Sequence, residues 1–183
     1  MSNFVINPSI VKASIPAQTL CQGQTTDSNA GFSEISYKQI TGCTAGNTLV
    51  SCSVDFYNLD DADLKFGAYS DDSNQPDQLL ASGEVTNQTI SNTYTTLTMT
   101  FSGSPGVVPD DGKIWVAIIS NKSGTTSKLR STAVGGSPVY TSSAYASDGV
   151  TPSGDYTNYA NNLYTTAPFQ AYGSNSYRMC VTA

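Results

Sequence analysis

Residues 64–72 read Leu-Lys-Phe-Gly-Ala-Tyr-Ser-Asp-Asp, a stretch that starts by alternating and ends in two acids. Leu64, Phe66 and Ala68 fall on one face of an extended chain and Lys65, Gly67 and Tyr69 on the other, because successive side chains of a strand point to opposite sides. Asp71, Asp72, Ser73 and Asn74 then lead to Pro76. Short Asp and Asn side chains bond their own backbone two residues on, which turns a chain sharply. The pattern predicts a strand, a structural turn and a second strand over QLLASGEV, ahead of a calcium or catalytic role for the two acids.

The same period recurs on either side. In LVSCSVDFYN, Val50, Cys52, Val54 and Phe56 face one way, and Ser51, Ser53, Asp55 and Tyr57 the other. In YTTLTMTFS, Leu97, Met99 and Phe101 alternate with Thr96, Thr98 and Thr100. GFSEISYKQI alternates more loosely, and the final SYRMCVTA puts Tyr177, Met179 and Val181 on one face. Each pattern fits a strand with one wet face. KIWVAIIS, residues 113–120, is apolar on both faces and predicts a central strand covered on both sides, with Trp115 as a core anchor. Turn signals separate these runs: TAGN at 44–47, SDDSNQPD at 70–77, SGSPG at 102–106, PDDG at 109–112 and VGGSP at 134–138. The expected fold is all-β, an antiparallel β-sandwich of jelly-roll type with about eight to ten strands. Residues 1–16 are expected to form an extended N-terminal arm, with Pro8 and Pro16 keeping it out of helix. Residues 17–183 are expected to form a single jelly-roll-like domain with a tyrosine-rich loop region at 140–177.

Composition supports this. Only 12% of the 183 residues are charged, about half the usual share. Ser and Thr replace the charge, and Thr fits a pleated sheet better than Lys or Glu does. The net charge of −6 repels a phosphate backbone and an anionic lipid surface, so neither nucleic acid nor membrane is expected as a partner. No window approaches the roughly 18 apolar residues of a membrane span. The start MSNFVINPSIVKASIPAQ lacks the basic and long apolar regions of a standard secretory signal.

The order LVSCSVDFYN, LKFGAYSDDSNQPDQLLASGEV, YTTLTMTF, DDGKIWVAII resembles the β-sandwich modules of the choice-of-anchor R type, found on bacterial surface proteins and in bacteriophage structural proteins. Ala68-Tyr69-Ser70-Asp71, Pro76 and Leu79-Leu80 match one motif of that family, and Gly112-Lys113-Ile114-Trp115-Val116-Ala117-Ile118 match a second. The likeness covers about residues 48–121 and carries strand and turn residues, so it implies a fold more than an activity.

Chemistry has few places to sit. The chain has no histidine, which removes the Ser-His-Asp and Cys-His arrangements. It has no G-x-S-x-G and no P-loop. A glycosidase needs two facing carboxylates, and nothing pairs Glu34 with Glu84, so no enzyme is expected. Four scattered cysteines (Cys21, Cys43, Cys52 and Cys180) contain no CxxC pair, which disfavours zinc. Cys52 is expected as a buried thiol. A disulfide such as Cys21–Cys43 is open, because spacing does not fix connectivity. Asp60, Asp61 and Asp63, together with Asp148 and Asp155 around a Gly-containing loop, supply the oxygen ligands a structural calcium uses, although a solvated turn accounts for them equally. Asn87-Gln88-Thr89 and Asn121-Lys122-Ser123 match a glycosylation pattern, and because MSNFVINPSIVKASIPAQ does not read as a standard secretory signal both are expected to be chance matches.

Tyrosine is concentrated late in the chain, at Tyr140, Tyr145, Tyr156, Tyr159, Tyr164, Tyr172 and Tyr177, amid Asn, Ser, Thr and Gly. A flat apolar ring with a polar tip suits a loop packed on the sandwich, a protein interface or a sugar platform. Two functions therefore compete. The first is a non-enzymatic structural protein of a virus particle, a bacteriophage capsid-decoration, cement or fibre-type subunit. Its partners would be other virion proteins or copies of itself in a homo-oligomer, and it would be located in the virion. The second is a carbohydrate-binding or host-adhesion module, extracellular or on a cell surface, using tyrosine-rich loops and assisted by calcium.

Overall fold

The computed structural model describes residues 16–22, 28–31, 35–58, 62–88, 93–121, 127–132, 140–142 and 176–183. These form twelve β-strands and no helix. In chain order they are β1 (Thr19–Gln22), β2 (Ser28–Gly31), β3 (Ile35–Thr41), β4 (Ser51–Asn58), β5 (Ala62–Asp72) and β6 (Gln75–Gln88), then β7 (Thr95–Thr100), β8 (Lys113–Ser120), β9 (Ser127–Thr132), β10 (Tyr140–Ser142), β11 (Ser176–Tyr177) and β12 (Met179–Thr182). The count exceeds eight to ten because several strands are pieces of two to four residues. The run SYRMCVTA is the plainest case: Arg178 interrupts it, and it becomes β11 and β12.

The strands build two antiparallel sheets. One runs β10-β3-β8-β5-β6. The other runs β1-β12-β4-β9-β11, with β7 on β4 and β2 on β9. Their facing sides share one apolar core, which makes the arrangement sandwich-like. Cys52, Val54 and Phe56 of β4, Met99 of β7, and Met179 and Val181 of β12 meet Leu64, Phe66 and Ala68 of β5 and Ile114, Val116 and Ile118 of β8. The period-2 pattern placed those of β4, β5, β7 and β12 correctly, whereas β8, apolar on both faces, carries no such signal. Val50 is the exception: it is 44% exposed, just ahead of β4, instead of joining Cys52 on the core face.

β8 is central, between β3 and β5, and is buried at every position after Lys113. Its two faces serve different clusters. The even positions Ile114, Val116 and Ile118 point into the main core. The odd positions Trp115, Ala117 and Ile119 lie on the opposite face with Tyr37 of β3 and Tyr69 of β5, in a second buried cluster against which Leu79 packs. Trp115 is thus a core anchor, as expected, but of the second cluster. Tyr69, which alternation sends outward, is also fully buried there.

The hairpin between β5 and β6 explains the opening stretch. Asp72 pairs with Gln75, so Ser73 and Asn74 form a two-residue loop, with φ of 54° and 64°. Two successive positive φ values match the right-handed strand twist in such loops, and Asn tolerates them. On β6, Gly83 faces Phe66 in the ladder, and a Cβ there would strike the Phe66 ring. The glycine therefore leaves the space that the tip of the Phe66 ring occupies.

Cys21 and Cys180 are cross-strand partners in β1 and β12 and are joined by a disulfide spanning 159 residues of sequence. The illustrative Cys21–Cys43 pairing is therefore wrong: β12 lies beside β1, whereas Cys43 sits in the β3–β4 connection. Cys43 and Cys52 are buried free thiols, and burial pushes both thiol pKa values up. The expected arm lies outside the described residues up to position 15.

Candidate functional site

Polar chemistry within the described residues concentrates at Asp71. The β5–β8 register brings Tyr69 opposite Trp115, and the β3–β8 register brings Gln39 opposite the same tryptophan. Asp71, two residues beyond Tyr69 on the same outer face, reaches this row. Gln39 Nε2 donates to Asp71 Oδ1 at 2.6 Å and Trp115 Nε1 donates to the same oxygen at 2.7 Å. The Asn74 N–H donates to Oδ2 at 3.1 Å, and Lys113 Nζ donates to Oδ2 at 3.2 Å. Lys113 Nζ also donates to Asn74 Oδ1 at 2.9 Å, which ties the loop tip to β8. The Asp71 side chain is only 4% exposed. Burial alone would raise its pKa, but the donors from Trp115, Asn74, Lys113 and Gln39 outweigh it and hold the carboxyl below the usual range.

A second acid, Asp55, occupies the outer face of the other sheet. Arg178 NH1 lies 3.2 Å from both of its oxygens, and Thr96 Oγ1 donates to Oδ1 at 2.7 Å. Asp55 stands where β4 changes neighbours. Ser51–Val54 pair with β12, whereas Phe56–Asn58 pair with β9. Arg178 is the residue between β11 and β12, so the ion pair bridges the fork.

A third acid, Asp63, belongs to the expected calcium set. Its Oδ1 accepts the Asn87 N–H at 2.9 Å and its Oδ2 accepts Asn121 Nδ2 at 2.8 Å. Asn121 Oδ1 in turn accepts the Asp63 N–H at 2.9 Å. Asp63 thus clips the start of β5 to the ends of β6 and β8. Both glycosylation-pattern asparagines meet here, and the Asn121 amide nitrogen is engaged by Asp63. Among the described residues no group of three or more His, Cys, Asp or Glu side chains gathers as a metal site. Asp60, Asp61, Asp148 and Asp155 lie outside the described residues, as do Tyr145, Tyr156, Tyr159, Tyr164 and Tyr172. Tyr140 opens β10 and pairs with Tyr37 in the ladder.

Sequence reasoning misses three features: the donor network at Asp71, where it reads a structural turn ahead of a calcium or catalytic role, the Asp55–Arg178 bridge, and Lys38. Lys38 pairs with Val116, which faces the main core, and is 2% exposed. Burial lowers its pKa. One signal was readable: a lysine at an inward position is what made GFSEISYKQI alternate loosely.

These observations define an all-β, sandwich-like protein whose described buried carboxylates are braced by internal donors. Comparison with family models, with curated proteins and with solved structures finds no match.

Proposed function

We propose that this chain is a non-enzymatic structural protein of a virus particle, a bacteriophage capsid-decoration, cement or fibre-type subunit that works by protein–protein contact in the virion. Its sandwich is of the jelly-roll type, related to the choice-of-anchor R modules that residues 48–121 resemble. One structural observation carries the contact part: Asp55, Asp63 and Asp71 each accept hydrogen bonds that tie separate strands together. Carboxylates used this way brace a rigid body. A general acid or a nucleophile instead needs an oxygen aimed at a substrate. A rigid, weakly charged, Ser/Thr-rich surface suits burial against other virion proteins or further copies of the chain.

The experiment is a measurement of solution mass and of binding to assembled capsids, with a glycan array run with and without calcium. Binding to capsids without a glycan signal supports the particle reading. A monomer that ignores capsids and binds one sugar class, more tightly with calcium, replaces it with the adhesion reading built on the tyrosine-rich loops. Deleting residues 1–14 is expected to leave the sandwich folded by circular dichroism and to lower assembly. Loss of the fold with assembly capacity unchanged in the remaining folded fraction would make the arm part of the core.

A further inference from the structure

We infer that the Cys21–Cys180 disulfide is a redox latch: it fastens β1 to its sheet, and reduction by a dithiol releases β1 while the rest of the sandwich stays folded. β12 is the one strand with which β1 pairs among the described residues. Gln18 and Ala183, just beyond the ladder, exchange both backbone hydrogen bonds, at 2.7 and 3.0 Å. Hydrogen-bonded and non-hydrogen-bonded pairs alternate along an antiparallel ladder. Leu20–Val181 and Gln22–Met179 are therefore hydrogen-bonded pairs. Cys21–Cys180 is a non-hydrogen-bonded pair, the kind whose Cα atoms come closest, and here they are 4.0 Å apart. Met179 and Val181 point into the main core, so Cys180 and its partner lie on the outer side of the sheet. Cys21 is exposed, which gives a reductant access.

Other ties of β1 are weak. It has four residues, and its one aliphatic side chain, Leu20, is only partly buried against the main core. Its side-chain hydrogen bonds are exposed. The Thr19 and Thr182 hydroxyls are 2.8 Å apart, the Gln22 side chain meets the Thr41 hydroxyl at 2.8 Å, and Thr44 Oγ1 donates to Gln18 Oε1 at 3.1 Å. Exposed hydrogen bonds exchange for bonds to water and contribute little net. A short edge segment with little apolar burial is among the first parts of a fold to open. β12 differs: it pairs with β4 at all four positions and fully buries Met179 and Val181. The covalent link is therefore what makes β1 as secure as its neighbour.

The chemistry is thiol–disulfide exchange. A thiolate of the dithiol attacks one sulfur of the pair, the protein S–S bond breaks, and the other cysteine leaves as a thiolate. The second thiol of the reagent then attacks the mixed disulfide and frees the first cysteine. The reagent ends as a disulfide, and Cys21 and Cys180 end as thiols, having gained two electrons and two protons between them. The spare cysteines do not divert this exchange. Cys52 pairs with Val181, the neighbour of Cys180, but both face the main core on the opposite side of the sheet. Cys43 is buried in the same core. Burial raises the pKa of both thiols and keeps their thiolates scarce. Reoxidation therefore restores the same pair. The latch stands on the β1–β12 geometry and does not depend on the particle reading.

The test is amide hydrogen exchange, read by NMR on the full chain when oxidised, when reduced with dithiothreitol and after reoxidation, beside Cys21→Ser. Alternation gives the readout its signature. Met179 and Val181 turn their N–H groups toward β1, whereas Cys180 and Thr182 turn theirs toward β4, where the Thr182 carbonyl accepts the Val50 N–H at 2.9 Å. Reduction is expected to speed exchange at Leu20, Gln22, Met179 and Val181 by at least about tenfold. Cys180, Thr182 and the amides of β8 are expected to change far less, and reoxidation to restore the slow pattern. Cys21→Ser is expected to show the fast pattern without reductant and no further response to it. Unchanged exchange at Leu20 and Val181, in a sample whose alkylated mass proves both cysteines reduced, would overturn the latch, since noncovalent contacts alone would then hold β1. Equal acceleration at β8 would also overturn it, because the disulfide would then be a staple of the whole domain. The reduction arm needs no substitution, so it decides the matter even where Cys21→Ser fails to fold.

Discussion

Asp71 and Asp55 are the same residue type in the same setting. Each lies on the outer face of its sheet, each has a side chain about 5% exposed or less, and each lies 3.2 Å from a cation. They differ in what surrounds them. Asp71 sits beside a hairpin loop and gathers donors from three further places: Gln39 on β3, Lys113 and Trp115 on β8, and the Asn74 backbone. Asp55 sits in mid-strand, and its cation comes from the break between β11 and β12. The first acid closes a network and the second bridges a fork. A buried charge is tolerated where fixed donors replace its water, and at Asp71 those donors come from a loop and two neighbouring strands.

Changing each acid to its neutral isostere tests the difference. Asp71→Asn is expected to cost the most, about 2–4 kcal/mol by urea denaturation, because an amide –NH₂ would face donors that now need an acceptor. Asp55→Asn is expected to cost less, about 1–2 kcal/mol, since Arg178 is partly exposed and can turn to water. A cycle with Arg178→Met should return a coupling of about 1 kcal/mol. If the two single losses came out equal, the contrast between network and bridge would fail. Trp115→Phe keeps an apolar ring but removes one donor to Asp71, and a loss of about 1–2 kcal/mol is expected from thermal melts. The smallest effect is the pH response. Asp71 is held below its unfolded value of about 3.9. Its contribution is therefore fully present above that value and is lost as pH falls through the lower folded pKa. An acid titration of stability should show a shallower acid limb in Asp71→Asn than in the wild type. Identical limbs would mean that other carboxylates set the acid response.

Much of the fold was legible because a half-buried strand writes its exposure pattern in its own residues. Leu64, Phe66 and Ala68, and likewise Leu97, Met99 and Phe101, could be placed from spacing alone. The loop at Ser73 and Asn74 was legible from turn chemistry. The candidate sites were much less so. Asp71 and Trp115 are 44 residues apart, and Asp55 and Arg178 are 123 apart. No local pattern records which strands become neighbours. The same blindness hid the Cys21–Cys180 pairing and the inward Lys38. Tyr69 was sent to the wet side because alternation does not show that an outer face is also covered.

The sequence by itself determined the class of structure: alternating apolar residues, abundant threonine and frequent turn residues suffice to make strands with one buried face. Tertiary structure alone decided which acids are braced and which cysteines join. Those outcomes depend on strand order and register, where a shift of one residue moves a side chain to the opposite face and the sequence within one strand does not name its neighbour.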